Sequence, residues 1–180
     1  RRYQVEADQA ERVQETALAA WAQIRPGGGE DGEAASLGWA AALHEIGISV
    51  AHNAYHKHGA YVLNHADMPG FSKKDQARLA ALVLGHRGKL EKLVALPGRP
   101  ESWDSVFCLR LAVLLHRTRD DRALPEWKVR GSARGYVLEL PDDWLAGNPW
   151  TAAALDEESA VWRQIGREFS LERGKGKKGG

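Results

Sequence analysis

Apolar residues fall at helical spacing over the first two-thirds of the chain and at strand spacing after Pro125. Val13, Ala17, Leu18 and Trp21 share the three-four spacing of one helical face. They predict an amphipathic helix from about Asp8 to Ile24, stopped by Arg25-Pro26 and the glycines behind it. Residues 26 to 33 read as a Gly-rich acidic loop. Leu37, Ala40, Ala41, Leu43 and His44 mark a second helix from Glu33 to about Val50, its last turn loosened by Gly47. Tyr55 to Ala66 predicts a short third helix, ended by Met68-Pro69-Gly70. Ser72 with Asp75 three residues later is a variant capping box. It opens a helix that runs through Leu79, Leu82 and Val83 to Gly85. Leu90 to Leu96 predicts one or two further turns. Pro100 to Arg119 is the most apolar segment, carrying Val106, Leu109, Leu111, Val113, Leu114 and Leu115, and is placed at the centre of the core.

The period changes after Pro125. Trp127 and Val129, then Tyr136, Leu138 and Leu140, alternate at period two, with a hairpin turn expected over residues 131 to 135. Helical spacing returns from Pro149 to Ile165, and Phe169 with Leu171 suggests a last strand. The pattern therefore predicts a mainly α protein: a helical domain over 1–122, a small α+β module (β-β-α-β) over 123–173, and a flexible basic tail over 174–180.

A chain of 180 residues can bury an ordinary core, and its 43% apolar and 27% charged residues are those of a soluble globular protein. No run is apolar enough to predict a membrane span, the best stretch being interrupted by Arg110. The one cysteine, Cys108, allows no internal disulfide and fits a reducing cytoplasm. Within its apolar stretch it reads as an inert core thiol. A chain that opens on Arg1, with no signal-peptide pattern behind it, is expected to be a fragment of something longer. Residues 73 to 134 hold 14 Lys/Arg against 7 Asp/Glu, whereas the segments on either side are acidic on balance. A basic middle of this kind points to a polyanionic partner, with a solvated helix face as the competing explanation for any single charge.

The histidines concentrate the chemistry. Six of the 7 lie between His44 and His86, five of them in the strings LHEIG, HNAYHKHG and GHRGK. Histidine is the side chain that titrates nearest neutral pH and a frequent metal ligand. AALHEIG resembles the His-Asp signature of the HD-type metal-dependent phosphohydrolases. Position by position, however, the metal set is dismantled. Gln9 stands where the first His would be, Glu45 replaces the paired Asp, and Val113 replaces the late Asp, so only His44 remains. A neutral amide and an alkyl group cannot hold a divalent cation as His and Asp do.

His52 and His56 have the i, i+4 spacing of helical metal ligands but no third ligand between them, and read as structural imidazoles. His65 reads as a surface residue. Lys57, His58, His86, Arg87 and Lys89 form a set of donors with no carboxylate among them. Such a set suits phosphate oxygens, which Arg grips bidentately and Lys as a point charge. No residue is assigned a catalytic role, and none a metal.

Over residues 36 to 93 the text HKHGAY, ADMPGF and GHR resembles the C-terminal region of the bacterial exopolyphosphatase / guanosine-pentaphosphate phosphatase family. A weaker likeness continues through LRLAVLLHRTR into the terminal module. The resemblance implies an HD-like helical domain with degenerate metal ligands, and it makes Glu45 the family's own pattern. It also implies a homodimer and a basic channel for inorganic polyphosphate. Catalysis would belong to N-terminal actin-like domains that this chain lacks; a divalent metal (Mg) is expected there and no cofactor here. The fragment alone is then expected to be inactive. A self-contained HD-type phosphohydrolase acting on a nucleotide is the alternative. Nucleic-acid binding ranks last, since the basic segment carries no recognised motif or aromatic platform.

Overall fold

The computed structural model describes residues 2–29, 32–97 and 102–175, with side chains from residue 7 onward. Among the described residues, eight α-helices precede or interleave three strands. The helices are α1 (Arg2–Ile24), α2 (Glu33–Leu43), α3 (Tyr55–His65), α4 (Lys73–Gly85), α5 (Glu91–Val94), α6 (Asp104–Leu115), α7 (Asp142–Gly147) and α8 (Pro149–Arg163). The strands are β1 (Lys128–Gly131), β2 (Gly135–Pro141) and β3 (Glu168–Gly174). The fold is mainly α with a small mixed sheet, as the periodicity predicts.

α6 holds the centre. Every residue from Ser105 to Ala112 is buried, so this helix is enclosed on all sides. α1 and α2 pack against it and each other, while α3 lies on α4. Leu109 is fully buried; Val113, expected on the same face, is half-buried. On α1, Val13, Ala17 and Trp21 point inward with Ala20, but Leu18 lies on the outer side. α4 begins as its sequence indicates: Ser72 Oγ accepts from the Asp75 amide at 3.0 Å.

The second helix is shorter than its apolar pattern. α2 ends at Leu43, and after a turn the chain forms a 3-10 segment over Ile46–Ser49. Gly47 accounts for the break. A Cβ there would lie 1.9 Å from the Tyr55 carbonyl oxygen and 2.5 Å from the Gly59 amide, so only glycine lets this segment touch α3.

In the sheet, β1 pairs antiparallel with β2, and β2 pairs parallel with β3, Tyr136 opposite Phe169. A parallel pair needs a crossover, and α7 with α8 supplies it, so the order is β-β-α-α-β rather than β-β-α-β. Tyr136, Leu138 and Leu140 face the core. Tyr136 stacks on Phe107 of α6 with ring centroids 3.9 Å apart, and the fully buried Trp162 closes the cluster edge-on. Helical body and sheet thus share one apolar core. The flexible tail expected over 174–180 starts too early, since Gly174 still pairs in β3 opposite Pro141; residues 176–180 lie outside the described residues.

Candidate anion-binding site

Three imidazoles meet where α2, α3 and α4 converge. His44 caps the end of α2, His56 sits in the first turn of α3, and His86 follows α4. Ring centroids of His44 and His86 are 5.2 Å apart, and those of His56 and His86 are 6.3 Å apart. All three are buried. His86 Nδ1–H donates to the Val83 carbonyl at 2.5 Å, because a carbonyl can only accept. That leaves Nε2 to accept from the Tyr55 hydroxyl at 3.2 Å. Burial, the nearby His44 and the other charges around it push the His86 pKa well below the ordinary imidazole value. His86 is therefore a neutral ring beneath the surface rather than one of its cationic donors.

His44 behaves alike. Its Nδ1–H donates to the Ala41 carbonyl at 2.6 Å, and burial lowers its pKa. The 3.6 Å separation between its Nε2 and Glu45 Oε1 is consequently not an ion pair at neutral pH. Glu45 is instead held by both guanidinium nitrogens of Arg119. Gln9 is also engaged: its amide donates to the His116 carbonyl at 2.9 Å and accepts from Arg12 at 3.0 Å. Among the described residues no three His, Cys, Asp or Glu side chains are placed to hold a metal ion. The residues at the HD-type positions do not fit a divalent cation, since one is a hydrogen-bonded amide and another the alkyl group of Val113.

Above the imidazoles the surface is basic. α4 ends at Gly85, and the chain turns through His86-Arg87-Gly88 into α5. Gly88 has φ of 78°, a left-handed conformation that favours glycine. The Arg87 guanidinium lies 4.8 Å from the centre of the Tyr55 ring. Lys92, on α5, donates to the Arg87 carbonyl at 2.6 Å and so returns its ammonium to the turn. Burial first, then Arg110, Lys57 and Arg87, bring the Lys92 pKa down to about 8. The same neighbourhood brings that of His56 down to about 4, burial first, followed by Lys92, Arg87, Lys57 and Arg110.

Arg87 adjoins Gly88 in the turn, and Lys57 of α3 is near enough to act electrostatically on both Lys92 and His56. Lys89 is exposed immediately beyond Gly88. His58 is half-buried two residues from His56, which places it on the far side of α3. The sequence alone does not single out Lys92, His56 or Tyr55 as phosphate-site residues. The available signal was Gly88 followed four residues later by a lysine on a short helix, the spacing that lets a side chain fold back on a turn. Among the described ion pairs none engages Lys57, Arg87, Lys89 or Lys92.

Arg110 supports the site from below. Its Nη1 donates to the Gly85 carbonyl at 2.8 Å, fixing the end of α4, while Glu158 of α8 holds the rest of its guanidinium. The groove between Trp127 and Trp144, about 720 Å³ and lined also by Glu139 and Asp143, lies at the sheet and is separate from this surface. Cys108 is fully buried, and burial raises its pKa well above the usual thiol value, as expected for an inert core thiol. No helix among the described residues is long and apolar enough to cross a membrane.

Residues 1–159 match the family model described as Ppx/GppA phosphatase, domain III. The chain is 33% identical over 177 residues to a guanosine-5'-triphosphate,3'-diphosphate pyrophosphatase of Pseudoalteromonas atlantica, an alignment covering 94% of this chain and 35% of that protein. A protein of the same name from Aeromonas hydrophila is 32% identical, with 92% and 34% covered. One from Vibrio atlanticus is 36% identical, with 74% and 27% covered. The chain spans about a third of the length of the first two of these relatives. With the degenerate HD-type positions, the helical architecture and this match in agreement, the chain belongs to the Ppx/GppA phosphatase family, to its domain III.

Proposed function

We propose that this chain is the C-terminal part of an exopolyphosphatase or guanosine-pentaphosphate phosphatase, and that it holds the phosphate-rich substrate rather than cleaving it. The observation that carries this reading is the turn at Gly88, where Arg87, Lys89 and Lys92 gather, with Lys57 within electrostatic reach of Lys92, and none has a described carboxylate partner. Such cations repel one another unless an anion lies among them. The name carried by the relatives, guanosine-5'-triphosphate,3'-diphosphate pyrophosphatase, points to phosphoanhydrides, and inorganic polyphosphate is the polymer of that linkage. Release of orthophosphate then falls to actin-like domains elsewhere in the parent protein, with Mg there, and a homodimer lengthens the basic surface.

A linear polyanion gains affinity on such a surface by releasing counterions, so binding must weaken steeply with salt. The test compares long-chain polyphosphate affinity of the wild type and an Arg87→Ala, Lys89→Ala double variant at two salt concentrations. The variant should bind more weakly and with a shallower salt slope, by about one to two in log–log terms if each lost cation contacts one phosphate. Equal affinities and equal slopes would sink the reading.

A further inference from the structure

One part of the basic surface is built differently from the rest. His56 is more than nine-tenths buried, and its Nδ1 has no hydrogen-bond partner among the described residues. Its Nε2 faces the turn. A Cβ on Gly88 would stand 3.7 Å from that nitrogen and 3.1 Å from Lys92 Nζ, so the glycine keeps the space between them clear. Lys92 is half-buried and tethered by its bond to the Arg87 carbonyl. Buried polar groups left unpaired and clustered cations both cost stability. An anion in the cleared space would offset the second of these costs and would meet Nε2, the ring nitrogen that faces it.

We propose that Gly88, His56, Lys92 and Arg87 form an anchoring subsite for a single phosphoryl group, distinct from the extended surface that follows the rest of a polyphosphate chain. The inference rests on the reading above that this surface binds phosphate polymers. Its donors approach from three elements: an imidazole N–H from α3, a forked guanidinium from the turn and an ammonium from α5. A terminal phosphoryl group offers three oxygens in a tetrahedral array and can meet all three donors together. A planar carboxylate offers two.

Proton positions follow from the geometry. Nδ1 of His56 faces no acceptor, so the proton of the neutral ring belongs on Nε2, where it points at the subsite. Charging the ring would add a buried N–H with nowhere to donate, which agrees with a pKa near 4. His56 is thus a neutral donor at physiological pH. Lys92 is the group that titrates. It is faced by Lys57 and His56 from α3, by Arg87 after α4, and by Arg110 of α6, itself paired with Glu158 of α8; Glu91 on its own helix is exposed. With Lys92 at about 8, part of the free protein lacks this proton in mildly alkaline solution. A bound phosphoryl group restores it, so binding takes up a proton there.

The test uses the whole chain and tripolyphosphate as probe, by calorimetry in buffers of different ionisation enthalpy between about pH 6.5 and about pH 9.5. Wild-type affinity should fall toward tenfold per pH unit relative to Lys92→Arg above about pH 8, with proton uptake approaching one per site. Lys92→Arg, always charged, should lose that uptake. Ligand ionisation is common to both proteins and cancels. His56→Ala should weaken binding while keeping the pH at which uptake appears, and circular dichroism checks that each variant is folded. Parallel profiles for wild type and Lys92→Arg would overturn the subsite. Long-chain polyphosphate that binds with steep salt dependence, beside tripolyphosphate that takes up no proton, would remove the subsite and leave the broader reading standing. Failure of both ligands to bind would remove both.

Discussion

Arg110 on α6 and Glu158 on α8 meet with Nε and Oε1 2.5 Å apart, both side chains buried. A second bond of 3.1 Å joins Nη2 to Oε2, and Trp162 donates its indole N–H to the same carboxylate at 2.9 Å. The pair therefore carries the hydrogen bonds that make a buried charge tolerable. It also ties the crossover helix to the carbonyl end of α4, the root of the basic turn.

Removing one partner leaves the other charge stranded. Glu158→Ala is expected to lower unfolding free energy by roughly 3–5 kcal/mol, read from urea denaturation. An Arg110→Met, Glu158→Leu double variant should recover most of that loss, because no isolated charge remains. A double variant as unstable as the single one would show that the guanidinium bond to the Gly85 carbonyl, rather than the pair, is what stabilises this region.

Leu109 lies fully buried on α6. Leu109→Ala should cost roughly 2–5 kcal/mol through lost burial and the cavity left behind. A thermal midpoint unmoved by the change would place this residue outside the core.

Four imidazoles, His44, His56, His86 and His116, have pKa values lowered first of all by burial. Each binds a proton more readily in the unfolded chain than in the folded one. Stability is then fully present above the ordinary imidazole value and is lost as pH falls from about 6.5 toward 4. Asp120, held down to about 2 by Arg122, titrates below that window. Urea midpoints measured at about pH 7.5 and about pH 5 should differ, the acidic one lower. Equal midpoints would mean the rings accept protons without cost.

The HD-type positions make a prediction of their own. Gln9 spends its amide on the His116 carbonyl and Arg12, Glu45 is held by Arg119, and Val113 offers no donor. Elemental analysis of the purified chain should find no stoichiometric transition metal, and added Mn or Mg should elicit no phosphate release from polyphosphate. One metal per chain, lost in His44→Ala, would contradict this.

Much of the fold was legible because its elements carry clear periods. The α6 segment is apolar enough to be central, Ser72 with Asp75 announces α4, and the period-two run at Tyr136 marks β2. The misses have specific causes. The apolar pattern of α2 continues past Leu43, but the contact of Gly47 with α3 is long-range and outweighs it. α7, six residues long, is too short to display a period. At the candidate site, Arg87 and Lys89 stand out beside Gly88. The burial of His86 and the return of Lys92 to the turn depend on how α3, α4 and α5 meet, which no spacing within one segment reveals.

The stack of Tyr136 on Phe107 has a practical meaning for dissecting this protein. A version ended near Arg122 would bare the face of Phe107 and deprive Arg110 of Glu158, at the very helix that supports the basic turn. Lost phosphate affinity in such a truncation would report a collapsed scaffold. Point substitutions on the turn itself are therefore the informative way to separate recognition from architecture.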